Sequence, residues 1–277
     1  MPRRSVFWKT LVDDRLQILG YGLTLAVMAA VIVYLWPSYE DTLVAVDLPP
    51  ALEALLGSSL SFATGPGFIS AEFFSWIPAL LLVYAIVKGT GAVAGEESAG
   101  TMDLLLAQPV RRGELVLDKT AAFLAGSVLI VLMGWLGFAV SVPFIDIDVT
   151  LMDTFVACAN MLPITWLYFG VALWLGVIAP SRGVAAAIAT GFATAAYFVN
   201  ALATGVDAIS GLRYLSPFYY YGAGLPLVEG LHWAHVGLLS GVAFIFVLLA
   251  LRAFERRDVT MGGAAGLRFG DLLRRAL

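Results

Sequence analysis

The chain has 277 residues, of which 60% are hydrophobic and 13% charged, and its formal net charge is −4. The apolar fraction exceeds the roughly 45–50% of soluble domains, and apolar runs long enough to cross a bilayer recur along the whole length, which excludes a sizeable soluble domain. The single cysteine, Cys158, excludes a disulfide within the chain.

The sequence predicts an all-α, polytopic membrane protein whose single transmembrane domain covers residues 1–277. Helices are expected because backbone polar groups in lipid must be satisfied within each segment, and the alternation of a strand barrel is absent. Each crossing needs about 20 residues. Six segments meet that length: 16–36, which is expected to end at Pro37, then 69–94, 120–142, 155–178, 184–202 and 233–254.

The basic residues predict how these spans are oriented. They lie before the first span, between the second and third, between the fourth and fifth, and after the sixth, and only Arg213 falls on the other side. The positive-inside rule therefore places both termini in the cytosol of a multi-pass protein of the cell membrane. On the outer side we expect a short surface helix over residues 49–57. An aromatic segment over 215–222, broken by Pro217, is expected to form an interfacial or re-entrant cap.

A polar, charged insert separates the second span from the third. A membrane anchor needs no such insert on its cytosolic side, whereas a protein driven by a soluble motor does. Thr101 can cap a helix there, and Asp103 suits its first turn. Spacing of i, i+3, i+4, i+7 places four apolar residues on one helix face: Met102, Leu105, Leu106 and Pro109. The sequence thus predicts an amphipathic helix over residues 98–109. An interfacial loop lying on lipid headgroups is an equal alternative from the residues alone.

The insert resembles the signature of ABC-2 type transporter permeases, in which an acidic pair and a Gly-Thr step lead into a Leu-rich helix, a Pro-Val-x-Arg turn and a lysine at the next span. The corresponding residues are Glu96-Glu97, Gly100-Thr101, Leu104-Leu105-Leu106, Pro109-Val110, Arg112 and Lys119. Leu215-Ser216-Pro217-Phe218 and Phe254-Glu255-Arg256-Arg257-Asp258 resemble the family's motifs before and at the end of its last span. The resemblance covers nearly the whole chain. Permeases of copper-enzyme maturation and of sodium or drug export share it, so it does not give the substrate.

The resemblance implies the membrane subunit of an ATP-driven exporter, paired with a second copy or a related permease and bound to cytosolic ATPases. The insert would be the coupling helix that docks on the ATPase, through Glu96, Glu97, Gly100, Thr101, Met102, Leu105, Leu106, Pro109 and Arg112. We expect no enzyme activity and no cofactor in this chain, because ATP and Mg would bind to the partner. The chain lacks a G-x-x-x-x-G-K-[ST] loop, since Asp118 stands before Lys119-Thr120 where that loop needs glycine. Membrane lipids, and no nucleic acid, are the other expected partners.

Small residues recur every four positions on the fifth span: Gly183, Ala187, Gly191 and Ala195. Such a stripe lets helices approach closely in lipid. It predicts either a seam between two subunits or along the substrate path, or packing within one subunit.

Four polar features remain open. Glu72 is either a functional acid at membrane depth or a wetted residue near the outer surface, and Lys88 is expected to snorkel to headgroups. Glu229, His232 and His235 have metal-ligand spacing but lack a fourth ligand, so no metal site is expected. The cytosolic tail covers residues 255–277, and its basic, amphipathic part after Gly263 either lies on an anionic leaflet or docks against the spans. Two rival functions remain. One is an intramembrane lipid-modifying enzyme that uses Glu72 or the histidines, and the other is a passive scaffold. The sequence shows no dense cluster of polar residues inside the spans, which argues against the enzyme.

Overall fold

The computed structural model describes residues 6–43, 64–95, 112–222, 225–227 and 230–256. These residues are helical without strands, and they contain six helical segments long and apolar enough to cross a membrane, which confirms the predicted fold class. The first to sixth spans are Arg15–Glu40, Gly65–Gly95, Gly113–Phe144, Leu151–Ile178, Arg182–Gly205 and Trp233–Arg256. The predicted helices at 49–57 and 98–109, and the tail after Arg256, lie outside the described residues.

Several spans are built from more than one element. A short N-terminal helix, Val6–Asp13, precedes the helix of the first span, Arg15–Leu43. The second span consists of Gly65–Ile69, a π turn at Ser70–Phe74, the helix Ile77–Thr90 and a second π turn at Gly91–Gly95. The third is Arg112–Ser141 followed by a 3₁₀ turn at Val142–Phe144, and the fourth is Leu151–Ala159 and Met161–Ile178. Between the fifth helix, Arg182–Gly205, and the sixth, Trp233–Arg256, lie Asp207–Leu215 (3₁₀), Pro217–Tyr221 (α) and Leu225–Leu227 (3₁₀).

The helix of the first span continues through Pro37, where the sequence predicted its end. Pro37 lies inside the helix Arg15–Leu43, so the prediction is wrong at this point. Proline fixes φ near the helical value and removes one hydrogen bond, here to the carbonyl of Val33. A proline in the last turns of a helix can therefore be accommodated without ending it.

The fourth span occupies the centre of the bundle. It packs most extensively against the second and sixth spans and also contacts the third and fifth. Tyr168 and Leu173 on this span are fully buried. Close approach to the sixth span depends on Gly170, because a Cβ at that position would lie 2.8 Å from the carbonyl oxygen of Ala243. Cys158 on the same span is also buried, consistent with a small packing residue.

The first span packs chiefly against the third. A Cβ on Gly137 of the third span would lie 2.8 Å from the Cα of Ala26, so only glycine allows the two backbones this separation. Trp36 near the end of the first span is buried, with its ring 5.6 Å from that of Phe68. The first span thus also covers the start of the second.

Candidate functional site

Most of the predicted coupling residues lie outside the described part of the chain. These are Glu96, Glu97, Gly100, Thr101, Met102, Leu105, Leu106 and Pro109. Arg112 is the first residue of the helix that forms the third span. The contacts of this set stay a prediction. The structure does describe the two helix ends between which the insert lies.

Basic side chains join the end of the second span to its neighbours. We call this the basic end of the bundle, where Lys88, Lys119 and Arg182 lie together. Lys119 Nζ donates a hydrogen bond to the carbonyl oxygen of Ala92 at 2.8 Å, and Arg182 Nη2 donates one to that of Val87 at 3.3 Å. Carbonyls in the last turn of a helix carry the negative end of its dipole, so cations from the third and fifth spans stabilise this end.

Two glycines leave room for the guanidinium of Arg182. A Cβ on Gly91 would lie 3.2 Å from Nη2, and one on Gly95 would lie 3.9 Å from Nη1. Both glycines belong to the π turn Gly91–Gly95. Such turns are rare in proteins overall, but those that occur are frequently found at functional sites. The guanidinium therefore lies against bare backbone at the point where the chain leaves the second span.

The N-terminal helix is tied to the same end. Asp14, at the junction with the first span, pairs with Lys88 at 2.5 Å. The backbone N–H of Phe7 donates to Asp118 Oδ2 at 3.3 Å. Lys88, which was expected to extend to lipid headgroups, thus forms an ion pair with a carboxylate of the same chain. The first, second and third spans are linked here by polar contacts.

The small-residue stripe of the fifth span faces away from the other described residues. All four members are exposed: Gly183, Ala187, Gly191 and Ala195. Among the residues that the structure describes, none has an atom within 4 Å of a Cβ built on Gly183 or Gly191. The buried face of the same helix consists of alanines at other positions: Ala185, Ala189, Ala193 and Ala196. Packing within one chain thus uses those alanines, and contact of the stripe with a second subunit stays a prediction.

At the opposite end of the bundle, the aromatic segment before the sixth span forms a partly buried cap, the helix Pro217–Tyr221. The Ser216 hydroxyl accepts the N–H of Phe218 and donates to the carbonyl oxygen of Ala196 on the fifth span at 2.7 Å. The helix ends at Gly222, whose φ of 67° is the left-handed conformation that glycine adopts readily. Pro217 and Tyr221 are buried whereas the three residues between them are half-buried, so one side of this helix packs on the bundle.

Tyr221 joins the cap to the second span. Its hydroxyl donates to the carbonyl oxygen of Phe74 at 2.9 Å, which lacks its usual helical donor because Pro78, four residues later, has no N–H. Burial raises the pKa of the Tyr221 phenol well above its ordinary value, which keeps the donor protonated. Asn160 Nδ2 in turn donates to the carbonyl oxygen of Tyr221 at 2.7 Å. The sequence reasoning missed Asn160 and Tyr221; a lone amide inside an apolar run was the available signal.

The other polar candidates lie at the surface near this cap. Glu72 and His232 are exposed. The rings of His232 and His235 are 5.3 Å apart, and His235 lies edge-on to Tyr220 at 5.3 Å. No group of three potential metal ligands occurs within the described ranges, and Glu229 lies outside them. The geometry thus gives the histidines aromatic neighbours.

Arg213, the basic residue that departs from the charge pattern, lies against two tyrosines. Its guanidinium carbon is 5.0 Å from the centre of the Tyr214 ring and 5.5 Å from that of Tyr219. Its Nη2 donates to the Tyr214 hydroxyl at 3.1 Å, and this hydrogen bond lowers the pKa of the Tyr214 phenol below its ordinary value. Cation–π contacts with these rings therefore stabilise an arginine on this side of the membrane.

Comparison with known families agrees with this arrangement. No curated protein matches the chain. The model of a family described as ABC-2 family transporter protein matches residues 6–259, which include all six spans, the basic end, the insert and the cap. The chain therefore belongs to the ABC-2 transporter family, as a multi-pass membrane permease.

Proposed function

We propose that this chain is the membrane subunit of an ATP-driven exporter and that residues 98–109 form the helix through which a separate cytosolic ATPase moves it. Family membership supports the permease role. The observation that carries the coupling proposal is the hydrogen bond from Lys119 to Ala92. It joins the two spans on either side of the insert, so a push on the insert acts on both spans together.

The mechanical connection extends beyond those two spans. Arg182 links the second span to the start of the fifth, and the Lys88–Asp14 pair links it to the first. A displacement at Gly95 would therefore reach the first, third and fifth spans through side chains that already contact the second. Interfaces of this kind move as units, because packed helices do not deform continuously.

The proposed partner of the fifth span is a second copy of this chain or a related permease, with the substrate path between the two subunits. The exposure of the stripe supports this, since no described residue lies within 4 Å of a Cβ on Gly191 and small residues let membrane helices approach closely. Both termini would lie in the cytosol, because the basic end would face the negatively charged leaflet. Export as the direction of transport follows the family resemblance.

The coupling proposal is tested by the double substitution Leu105→Asp and Leu106→Asp. Burial of each leucine is worth about 1.5–3 kcal/mol, so loss of both should weaken ATPase binding by orders of magnitude. The measurement is co-purification of the cytosolic ATPase, together with substrate-coupled ATP hydrolysis. A matched control, Ala107→Asp with Gln108→Asp, adds the same charge to the opposite face of the predicted helix.

We expect the leucine variant to insert normally but to lose the ATPase, and the control variant to retain it. Normal complex yield and normal coupled hydrolysis in the leucine variant would refute the coupling helix. Equal loss in both variants would show that added charge, not the apolar face, determines docking.

A further inference from the structure

Between its first π turn and its last helical turn, the second span exposes residues along one face only. These are, from the cap end toward the basic end, Glu72, Ser75, Trp76, Ala79, Val83 and Val87. Positions three and four apart share one side of a helix, and the positions between these residues are buried or half-buried. The rest of this stretch therefore packs within the chain. We call the six residues the open face of the second span.

Glu72 lies at membrane depth on the open face. The level of the basic end is marked by Lys88, which pairs there with Asp14. At about 1.5 Å per residue, the helix rises about 24 Å from Lys88 to Glu72, whereas the hydrocarbon core is about 30 Å thick. Tilt of the span would only reduce this height. With the basic end at the level of the headgroups, the carboxylate therefore lies inside the far boundary of the apolar layer.

The described part of the chain does not neutralise this carboxylate. Within those residues, no hydrogen bond or ion pair involves the Glu72 side chain. An ionised group in contact with acyl chains is costly, and acidic residues inside spans almost always face a water-filled cavity or pair with a cation. We therefore expect the open face to be directed toward water or a positive charge and not toward lipid.

The residues that follow Glu72 on this face are aromatic and apolar. Trp76 is 65% exposed and lies about one turn closer to the basic end. The face of an indole ring attracts cations more strongly than other aromatic side chains do. Ala79 and Val83 continue the face, and Val83 is 52% exposed. The open face thus presents a negative charge, then an aromatic ring, then an apolar surface.

We propose that the open face lines the substrate path and that Glu72 binds the positive charge of an amphiphilic organic cation. The Trp76 ring would contact the same charge, and Ala79 and Val83 would contact the apolar part of the molecule. The apolar stretch favours an organic cation over a metal ion, which requires several oxygen ligands. This proposal rests on the proposed transport function and names a substrate class for it.

The first measurement tests whether the open face is in contact with water. In an otherwise cysteine-free chain, Glu72→Cys, Ala79→Cys and Val83→Cys are treated in membranes with an impermeant thiol reagent. We expect all three to react, and Val27→Cys not to react, because Val27 is an exposed apolar residue of the first span. Reaction of Glu72→Cys alone would show a wetted rim and overturn the proposal. Absence of reaction at Glu72→Cys would show that another subunit covers the residue, with the same consequence.

The second measurement tests the charge of the ligand. Equilibrium dialysis of the purified chain in detergent compares tetraphenylphosphonium with tetraphenylborate, two ions of similar shape and opposite charge. The wild-type chain should bind the cation more tightly than the anion. Glu72→Gln should weaken cation binding at least about tenfold through loss of the opposite charge, and Trp76→Leu should weaken it severalfold. Glu40→Gln is the matched control, because Glu40 is an exposed acid of the first span.

Equal cation binding by Glu72→Gln and Glu40→Gln would overturn the proposal, as would equal binding of both ions by the wild-type chain. Glu72→Asp keeps the charge, so retention of binding in this variant shows that the loss in Glu72→Gln does not follow from misfolding. Neither measurement involves the ATPase. Failure of these tests with an intact ATPase contact removes only the substrate class, whereas failure of the leucine test removes the coupling function and leaves cation binding measurable.

Discussion

Substitution of Tyr221 would measure how strongly the cap is bound to the second span. Tyr221→Phe removes the hydroxyl that donates to Phe74 O and leaves the ring in place. Because Pro78 cannot supply the usual helical donor, that buried carbonyl would lose its partner among the described residues, at a cost of about 1–3 kcal/mol in soluble proteins. Hydrogen bonds between membrane helices contribute less, about 0.6 kcal/mol on average and about 1.7 at most. Because Pro78 cannot replace the lost donor, we expect a loss near the upper figure.

The control is the adjacent Tyr220→Phe, whose hydroxyl donates to Tyr214 O at the exposed surface at 2.9 Å. Water replaces such a bond, so this variant should be near neutral. The assay is thermal unfolding of the purified protein in detergent. About 2–4 °C per kcal/mol is usual for a chain of this size, so Tyr221→Phe should melt several degrees below the control. Equal melting temperatures would show that the cap is held by apolar packing alone and would refute this account of Phe74.

Three further predictions concern the packing and orientation of the bundle. In an otherwise cysteine-free chain, Asp146→Cys should react with an impermeant thiol reagent from outside the cell and Arg257→Cys should not; the reverse pattern would invert the proposed topology. Ala187→Leu with Gly191→Leu should leave the melting temperature unchanged but lower the yield of disulfide-trapped dimer, and an unchanged yield would exclude the stripe from the subunit contact. Gly137→Ala should lower the stability of the folded chain by about 1–3 kcal/mol through overpacking against the first span, whereas Gly191→Ala should be neutral. Thermal unfolding of both variants measures the difference.

The sequence was sufficient for the fold class and the number of spans because the bilayer imposes a length on every helix. A run of apolar residues in lipid has no stable alternative to the helix, so hydropathy alone located all six segments. Helix ends are decided by local chemistry of smaller magnitude. At Pro37 the loss of one hydrogen bond was not enough to stop the helix.

The contacts between spans could not be predicted in the same way. A spacing of four identified small residues at Gly183 and Gly191, yet the close approaches within the chain occur at Gly137 and Gly170. Periodicity shows which residues share a face, but the partner of that face depends on the whole arrangement of helices. The hydrogen bond from Tyr221 to Phe74 could not be predicted for the same reason, since its partners are 147 positions apart in the sequence.

The central position of the fourth span also determines the order in which the protein can assemble as it is synthesised. The second span finds its most extensive partner in Met161–Ile178, which leaves the ribosome well after Gly95 does. At about 5–20 residues per second, the second span spends several seconds in the membrane before that partner arrives. The first and third spans can pair during this interval. The first and third spans, which are not neighbours in the chain, can therefore form their contact before the second span meets its main partner.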